Sequence, residues 1–246
     1  MEKIYSRPKA LQNRATGYCP GCLHGTTVKI IAELIDEFGI QDSTVAVLPI
    51  GCSALDCWSF ETDMIISLHG RAPATATGIK RNAPEKTVIV IQGDGDLASI
   101  GLAEIMHAAN RGENLTVIFM NNGIFGMTGG QMAPTTLIGQ KATTAQGGRT
   151  EAHGYPMHMC EILNELKAPY YIQRCAMDSP AHVREAKKAI RKGLENQMNG
   201  KGFSFIELMS NCPTNWSMSA EKSIEYMREY TLKEFQIGVY RDGGEK

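Results

Sequence analysis

The segment "GYCPGCLHG", Gly17 to Gly25, places two cysteines two residues apart around a Pro-Gly turn. Thiolates so spaced can form a redox dithiol, half a zinc site, or part of a larger sulfur ligand set. A thioredoxin-type pair follows a strand at a helix start, and no convincing strand precedes Cys19. A zinc site usually shows a second close pair; Cys52 with Cys57 is the only candidate, at an unusual spacing. Cysteine spacing alone leaves zinc and iron–sulfur level. Cys160 and Cys175 sit in apolar stretches and read as buried small hydrophobes. An odd total of seven cysteines is no disulfide framework.

A second stretch, "QGDGDLA", contains Gly93-x-Gly95-x-x-Ala98 and so matches the dinucleotide fingerprint. A dinucleotide site also wants an acid near the end of the next strand, and here that strand ends in Asn121-Asn122. An Asp inside the turn would meet a pyrophosphate with like charge unless a cation lies between. Magnesium diphosphate satisfies the pattern. Asp94 supplies an anionic oxygen, Asn122 a neutral one 28 positions on, and a main-chain carbonyl just beyond it a third. Mg²⁺ takes few protein oxygens and completes its octahedron with phosphate and water. A helix beginning near Leu97 would aim its N–H groups at the remaining phosphate charge. The bland alternative is a tight strand-to-helix turn with an exposed Asp.

The elements that must position these residues alternate along the chain. Apolar runs at 44–51, 64–70, 86–96, 115–122, 169–176 and 203–209 read as strands, the last of them closing the series. Helical patterns lie at 27–39, 72–83, 98–112, 158–167 and 181–198. Between them, residues 123–154 form a long loop rich in Gly and Thr, a length that usually marks function. The expected fold class is α/β, a doubly wound, mostly parallel sheet with helices on both faces. Ligands of such sheets bind beyond the C-terminal strand ends. The glycine turn, the Asn pair, Cys52 and Cys212 all fall there.

Composition narrows the function classes. At 43% hydrophobic and 21% charged residues, the 246-residue chain is an ordinary globular one, and a net charge of −1 offers nothing to nucleic acid or an acidic membrane. "MEKIYSRPKALQNR" has no apolar core and no run approaches a membrane span, so the expectation is cytoplasmic.

In order along the chain stand "CPGC", "IGCS", "HGRA", "GDGD", "NN", "GMTGGQMAPTT" and "CPTNW". This series, from about residue 15 to 216, resembles the thiamine-diphosphate-binding β subunits of 2-oxoacid:ferredoxin oxidoreductases. The later motifs are most like the branched-chain, 2-ketoisovalerate branch. The resemblance implies one thiamine-diphosphate/Mg-binding domain over 1–246, with a cluster-binding segment at about 15–25 and a C-terminal extension at about 212–246.

The resemblance also implies roles. Asp94, Asn122 and the Ile124 carbonyl would hold Mg²⁺. Gly95, Asp96, Gly126, Met127 and Thr128 would lie along the diphosphate. Ile50, Gly51, Cys52 and Ser53, with His69, Gly70 and Arg71, would line the cofactor, and His69 and Arg71 are the catalytic candidates. Cys19, Cys22, Cys52 and Cys212 would hold a 4Fe–4S cluster, leaving Cys57 structural. The implied reaction is oxidative decarboxylation of a 2-oxoacid with coenzyme A, electrons leaving through the cluster to ferredoxin. Gly129, where some 2-oxoglutarate or broad-specificity relatives carry Lys, leaves room for a branched apolar substrate. A 2-oxoglutarate or broad-specificity enzyme is the alternative. From other classes, the rivals are an electron-transfer subunit without thiamine chemistry and a non-oxidative decarboxylase or synthase half. The implied partners are an α-type subunit carrying the pyrimidine-binding domain with its activating Glu, and a small ferredoxin-like subunit.

Overall fold

Alternation along the central strands gives the sheet two buried faces. In a computed structural model, which describes residues 5–243, Ile89, Ile91, Ile118 and Met120 join one apolar cluster. Their neighbours Val88, Val90, Val117 and Phe119 join another on the opposite side. Each large side chain so buried contributes roughly 1.5–3 kcal/mol, so neither face can be left to water. Helices α1 (His24–Phe38) and α5 (Pro180–Met198) cover the first face. Helices α2 (Ala72–Asn82), α3 (Leu102–Asn110) and α4 (Met159–Asn164) cover the second.

The strands are β1 (Thr44–Leu48), β2 (Asp63–Ile66), β3 (Thr87–Gly93), β4 (Thr116–Asn121), the short hairpin β5 (Ile124–Phe125) and β6 (Gln131–Met132), β7 (Tyr171–Ala176), β8 (Ser204–Met209) and β9 (Gly238–Asp242). Seven form one sheet in the order β2-β1-β3-β4-β8-β7-β9, with β5 and β6 a separate pair. Every pairing in the large sheet is parallel except β7 with β9. The expected α/β class and mostly parallel sheet are what the chain forms. Among the described residues no helix is long and apolar enough to cross a membrane.

Three local expectations change. The strand expected at 64–70 stops at Ile66 and lies at the sheet edge with Ile65 and Ile66 exposed. The series does not close at β8, because β9 adds antiparallel to β7. No apolar run announces β9; a buried Arg241 anchors it by donating to the carbonyls of Asn164, Leu166 and Pro169. The helix expected from 98 is a π-helical turn, Gly95–Ile100, followed by α3. The long loop is ordered by Arg149, which is 4% exposed. Its guanidinium donates to the carbonyls of Ala133, Pro134, Thr136, Gly154 and Tyr155. The expected C-terminal extension is helix α6 (Ala220–Tyr226), a further helical turn (Met227–Thr231) and β9. Its expected last residue, 246, and the first residue of the chain lie outside the described residues.

Candidate functional site

The C-terminal ends of β1, β3 and β4 open on a cleft with about 530 Å³ of empty space. Residues 50–53, 93–96 and 124–128 line it, with His24, His69 and Asn122. At its floor Asp94 is 2% exposed. Its Oδ1 accepts from the Gly95 N–H at 2.8 Å; its Oδ2 accepts from the Ile124 N–H at 3.0 Å and the Thr135 hydroxyl at 2.8 Å. Asn122 Oδ1 accepts from the same Ile124 N–H at 3.2 Å. One backbone amide thus gathers the acid and the amide oxygen of two distant motifs. Burial raises the Asp94 carboxyl to about 6, although Thr135, Gly95, Gly123 and Ile124 donate to it and pull the other way. Its partners are all neutral, so a buried carboxylate here favours an added cation. A Cβ on Gly95 would stand 2.3 Å from the Phe125 ring. Only glycine fits, and the main chain stays bare at the cleft floor.

Asp96 lines the same cleft. It is 3% exposed, and its Oδ1 accepts from the Gly70 N–H at 2.9 Å and the Ile50 N–H at 3.4 Å. Gln92 Nε2 donates to its Oδ2 at 2.5 Å, and His69 Nδ1 lies 2.5 Å from Oδ1. Its carboxylate therefore faces the loops at 50–53 and 69–70 and ties both to the turn after β3. It lines the cleft beside Gly95, in the stretch expected along a diphosphate, while these donors hold its carboxylate. Arg71 is a correction. Its half-exposed guanidinium pairs with Glu104 on α3 and it does not line the cleft. Ser53 is 1% exposed, lines the cleft, and its hydroxyl has no partner.

The cysteines approach from one side. A Cβ on Gly126 would stand 3.1 Å from Cys52 Sγ and 3.7 Å from Cys212 Sγ, so both sulfurs crowd that glycine. Burial pushes the Cys52 thiol up to about 12, and the charges of Cys212, Cys22 and Cys19 push the same way. Cys22 is raised to about 11, chiefly by burial, with Cys212 and Cys19 adding to it. A raised thiol is the reverse of an activated redox dithiol. Among the described residues no three His, Cys, Asp or Glu converge tightly enough for a single metal ion. Cys57 packs against the first apolar cluster, and Cys160 and Cys175 are buried at 0% and 4% exposure.

The family described as "Thiamine pyrophosphate enzyme, C-terminal TPP binding domain" matches residues 49–208. The ketoisovalerate oxidoreductase subunit VorA of Methanothermobacter marburgensis is 46% identical over 243 residues, 98% of this chain and 51% of that one. The 2-oxoglutarate synthase subunit KorB of Methanocaldococcus jannaschii is 38% identical over 221 residues, 87% of this chain and 78% of its own. The chain belongs to the thiamine-diphosphate-binding, β-type subunits of the 2-oxoacid:ferredoxin oxidoreductases. A solved 2-oxoglutarate:ferredoxin oxidoreductase from Magnetococcus marinus, with 2-oxoglutarate, coenzyme A and succinyl-CoA bound, matches it with a TM-score of 0.81 at 25% identity. That match covers 99% of this chain and 87% of the other. The chain spans about half the length of the VorA relatives.

Within this β-type subunit the cleft gathers Asp94, Asn122, Ile124, residues 50–53, His69, Gly95, Asp96, Gly126, Met127 and Thr128, and leaves Gly70 and Arg71 off its lining. Sequence reasoning missed four contributors. His24 lines the cleft with its Nδ1 3.3 Å from Cys22 Sγ, and burial lowers its pKa to about 4. Its place two residues after Cys22 was the available signal. Thr135 falls inside the quoted "APTT". Asn215 Nδ2 donates to the Gly126 carbonyl at 2.8 Å and lies 3.3 Å from Cys212 Sγ; it falls inside "CPTNW". Gln92 gave no signal, since its role depends on which way Asp96 turns.

Proposed function

We propose that this chain binds thiamine diphosphate through Mg²⁺ and serves a CoA-acylating 2-oxoacid:ferredoxin oxidoreductase that acts on a branched-chain 2-oxoacid of the 2-ketoisovalerate type. The observation that carries it is the meeting of Asp94 and Asn122 at the Ile124 amide, in the same cleft that Cys52 lines. The donor set suits the group: a buried carboxylate with neutral partners, an amide oxygen and a nearby main-chain carbonyl are hard oxygens fit for magnesium. The unpartnered Ser53 hydroxyl and the bare backbone at Gly95 leave polar capacity for a diphosphate.

Cys19, Cys22, Cys52 and Cys212 would hold a 4Fe–4S cluster. A zinc ion draws its four ligands to a single point, whereas a cubane carries its thiolates on separate irons and spaces them apart. The lack of single-ion convergence among charge-coupled cysteines favours the cluster. When bound, thiamine diphosphate supplies the electron sink for decarboxylation, and a cluster supplies a one-electron path outward. The chain's own residues orient and exclude. Asp96 fixes His69 and the 50–53 loop, Thr135 holds Asp94, and Arg149 holds the loop that carries Thr135.

The exposed side chains beside the cleft support a partner subunit. Leu68 is 80% exposed, Ile66 51% and Ile100 43%, and Met127 in the cofactor loop is 49% exposed. An α-type subunit with the pyrimidine-binding domain and its activating Glu would cover this face, a small ferredoxin-like subunit would join it, and the chain alone would be inactive. Gly129 has nothing within 4 Å of an added Cβ, which supports room for a branched chain over a second carboxylate partner. The 46% identity to a ketoisovalerate subunit, against 38% to a 2-oxoglutarate one, supports the same choice.

The test is an anaerobic purification of the complex, read by visible spectrum, iron content and 2-oxoacid- and CoA-dependent ferredoxin reduction. A brown, iron-containing sample that prefers 2-ketoisovalerate is expected. A colourless, iron-free, zinc-containing sample overturns the oxidoreductase reading. A preference for 2-oxoglutarate of about tenfold or more overturns the substrate assignment alone.

A further inference from the structure

We propose that Glu207 on β8 is a positioning residue for the cation site, acting through Asn121; this rests on the magnesium reading above. Asn121 is 1% exposed and adjoins Asn122 in the chain. Its Nδ2 donates to Glu207 Oε1 at 2.7 Å, and its Oδ1 accepts from the Gly123 N–H at 3.2 Å. A side-chain amide has one donor end and one acceptor end. The carboxylate that takes the donor end therefore decides that the oxygen faces Gly123. With that oxygen on Gly123, the chain turns there at φ 68°, a conformation that suits glycine. The next N–H, that of Ile124, then meets Asn122 Oδ1 and Asp94 Oδ2 at 3.2 and 3.0 Å. Orienting Asn121 thus sets the turn that brings the candidate cation ligands together.

The register makes the reach possible. Glu207 pairs with Phe119 on β4, two residues before Asn121, so both side chains lie on one face of the sheet. Arg174 pairs with Glu207 from the other side, on β7. Its Nε donates to Glu207 Oε2 at 2.8 Å, and both side chains are fully buried. The remaining guanidinium nitrogens reach Glu161, Tyr240 and the Gln236 carbonyl. Glutamate is the group this place demands, because one oxygen must accept from Asn121 and the other from Arg174. In a glutamine, whichever way it turns, an NH₂ faces a donor.

The test uses the assembled complex, stripped with EDTA and titrated with Mg²⁺ at fixed thiamine diphosphate. Retained cofactor after desalting gives the Mg²⁺ requirement, and unfolding in EDTA gives stability without it. Glu207→Gln is expected to raise the Mg²⁺ needed for half retention by about tenfold, the lower end of the range for losing an outer partner of a metal ligand, because Glu207 acts one step further out through Asn121. Glu161→Gln breaks the far contact of Arg174. It is expected to lower the unfolding temperature and leave the Mg²⁺ requirement unchanged. Arg174→Met with Glu207→Met replaces the buried pair by apolar side chains, a change such pairs often tolerate. That double variant should lose only the stability of one buried amide donor left without its acceptor, and still need more Mg²⁺, since Asn121 is unheld. The proposal is overturned if the two Glu207 variants keep the parent requirement, or if Glu161→Gln raises it in proportion to the stability lost. A parent complex that retains the cofactor without any divalent ion overturns the magnesium reading and this proposal together.

Discussion

Replacing Arg149 with methionine tests whether one side chain orders the long loop and, through it, the cofactor floor. Four of its bonds are good ones, to Thr136 at 2.7 Å, to Pro134 and Gly154 at 2.8 Å, and to Tyr155 at 2.9 Å. A charged donor contributes about 1.5–3 kcal/mol net in each bond at best, and near 1 where burial must be offset. Burial does weigh against Arg149, lowering its pKa. Taking about 1 kcal/mol for each of the four gives a loss of about 4 kcal/mol, in the range seen when one member of a buried polar set is removed. For a chain of this size that is roughly 8–16 °C in melting temperature. Thr135, which donates to Asp94, lies within the segment Arg149 pins, so thiamine diphosphate affinity should fall as well. Differential scanning calorimetry, limited proteolysis and cofactor titration of Arg149→Met read the three effects. Lysine, with a single ammonium in place of the planar fork, should restore only part of the loss. A shift below about 3 °C, with an unchanged cleavage pattern over 123–154, refutes the reasoning.

Further outcomes follow from other contacts. Asp94→Ala should abolish Mg²⁺-dependent thiamine diphosphate binding while the circular dichroism spectrum stays that of the parent; calorimetric titration showing parent affinity removes the magnesium assignment. Cys19→Ser should make the cluster labile and cut ferredoxin reduction to background, with cofactor binding retained in a complex that still elutes assembled. An unchanged cluster signal and parent reduction rate would exclude Cys19 as a ligand. His158 is raised above its ordinary value by Glu161, against burial, with Glu234 adding to the rise. A base raised in the folded state stabilises fully below its unfolded pKa of about 6.5 and loses that contribution as pH climbs through the folded value. The stability gap between the parent and His158→Gln should therefore narrow from about pH 6 to pH 9; a gap independent of pH refutes the assignment.

The sequence is legible where short-range pattern and physics coincide. β1, β3, β4 and β8 are continuous apolar runs, and only burial on both faces accommodates those. The GDG turn and the Asn pair are readable because an acid in a phosphate-type turn demands a cation. The misses share a different cause. Arg71 and Gln92 have the residue types a site uses, but their roles depend on which neighbours each side chain faces. Gln92 acts through the Asp96 carboxylate, which also accepts from the Gly70 and Ile50 amides. β9 carries no apolar signature, since an edge strand bonded on one side can expose Gly238 and Val239. Glu207 looked like one acid in an apolar strand, and its meaning appears only once β4, β8 and β7 are set in register.

That register also explains why oxygen and sulfur donors meet in one place. β3 and β4 lie side by side at the centre of the sheet, so the turn after one and the loop after the other must open at the same edge. The oxygens of Asp94 and Asn122 come from those two connections. β8 flanks β4 and β1 flanks β3, and Cys212 and Cys52 lie three and four residues beyond their ends. The connections after β1 and β8 close over Gly126, whose carbonyl accepts from Asn215 while its missing side chain leaves room for both sulfurs. A residue with a Cβ there would have to push Cys52 or the loop aside. Hard and soft donor sets are therefore joined through the backbone at 122–126 and through Asp96, whose carboxylate ties the turn after β3 to the loop that carries Cys52. A displacement at one set strains these links before it reaches the other, and the buried Asn121–Glu207–Arg174 chain resists strain at 122–126 from below.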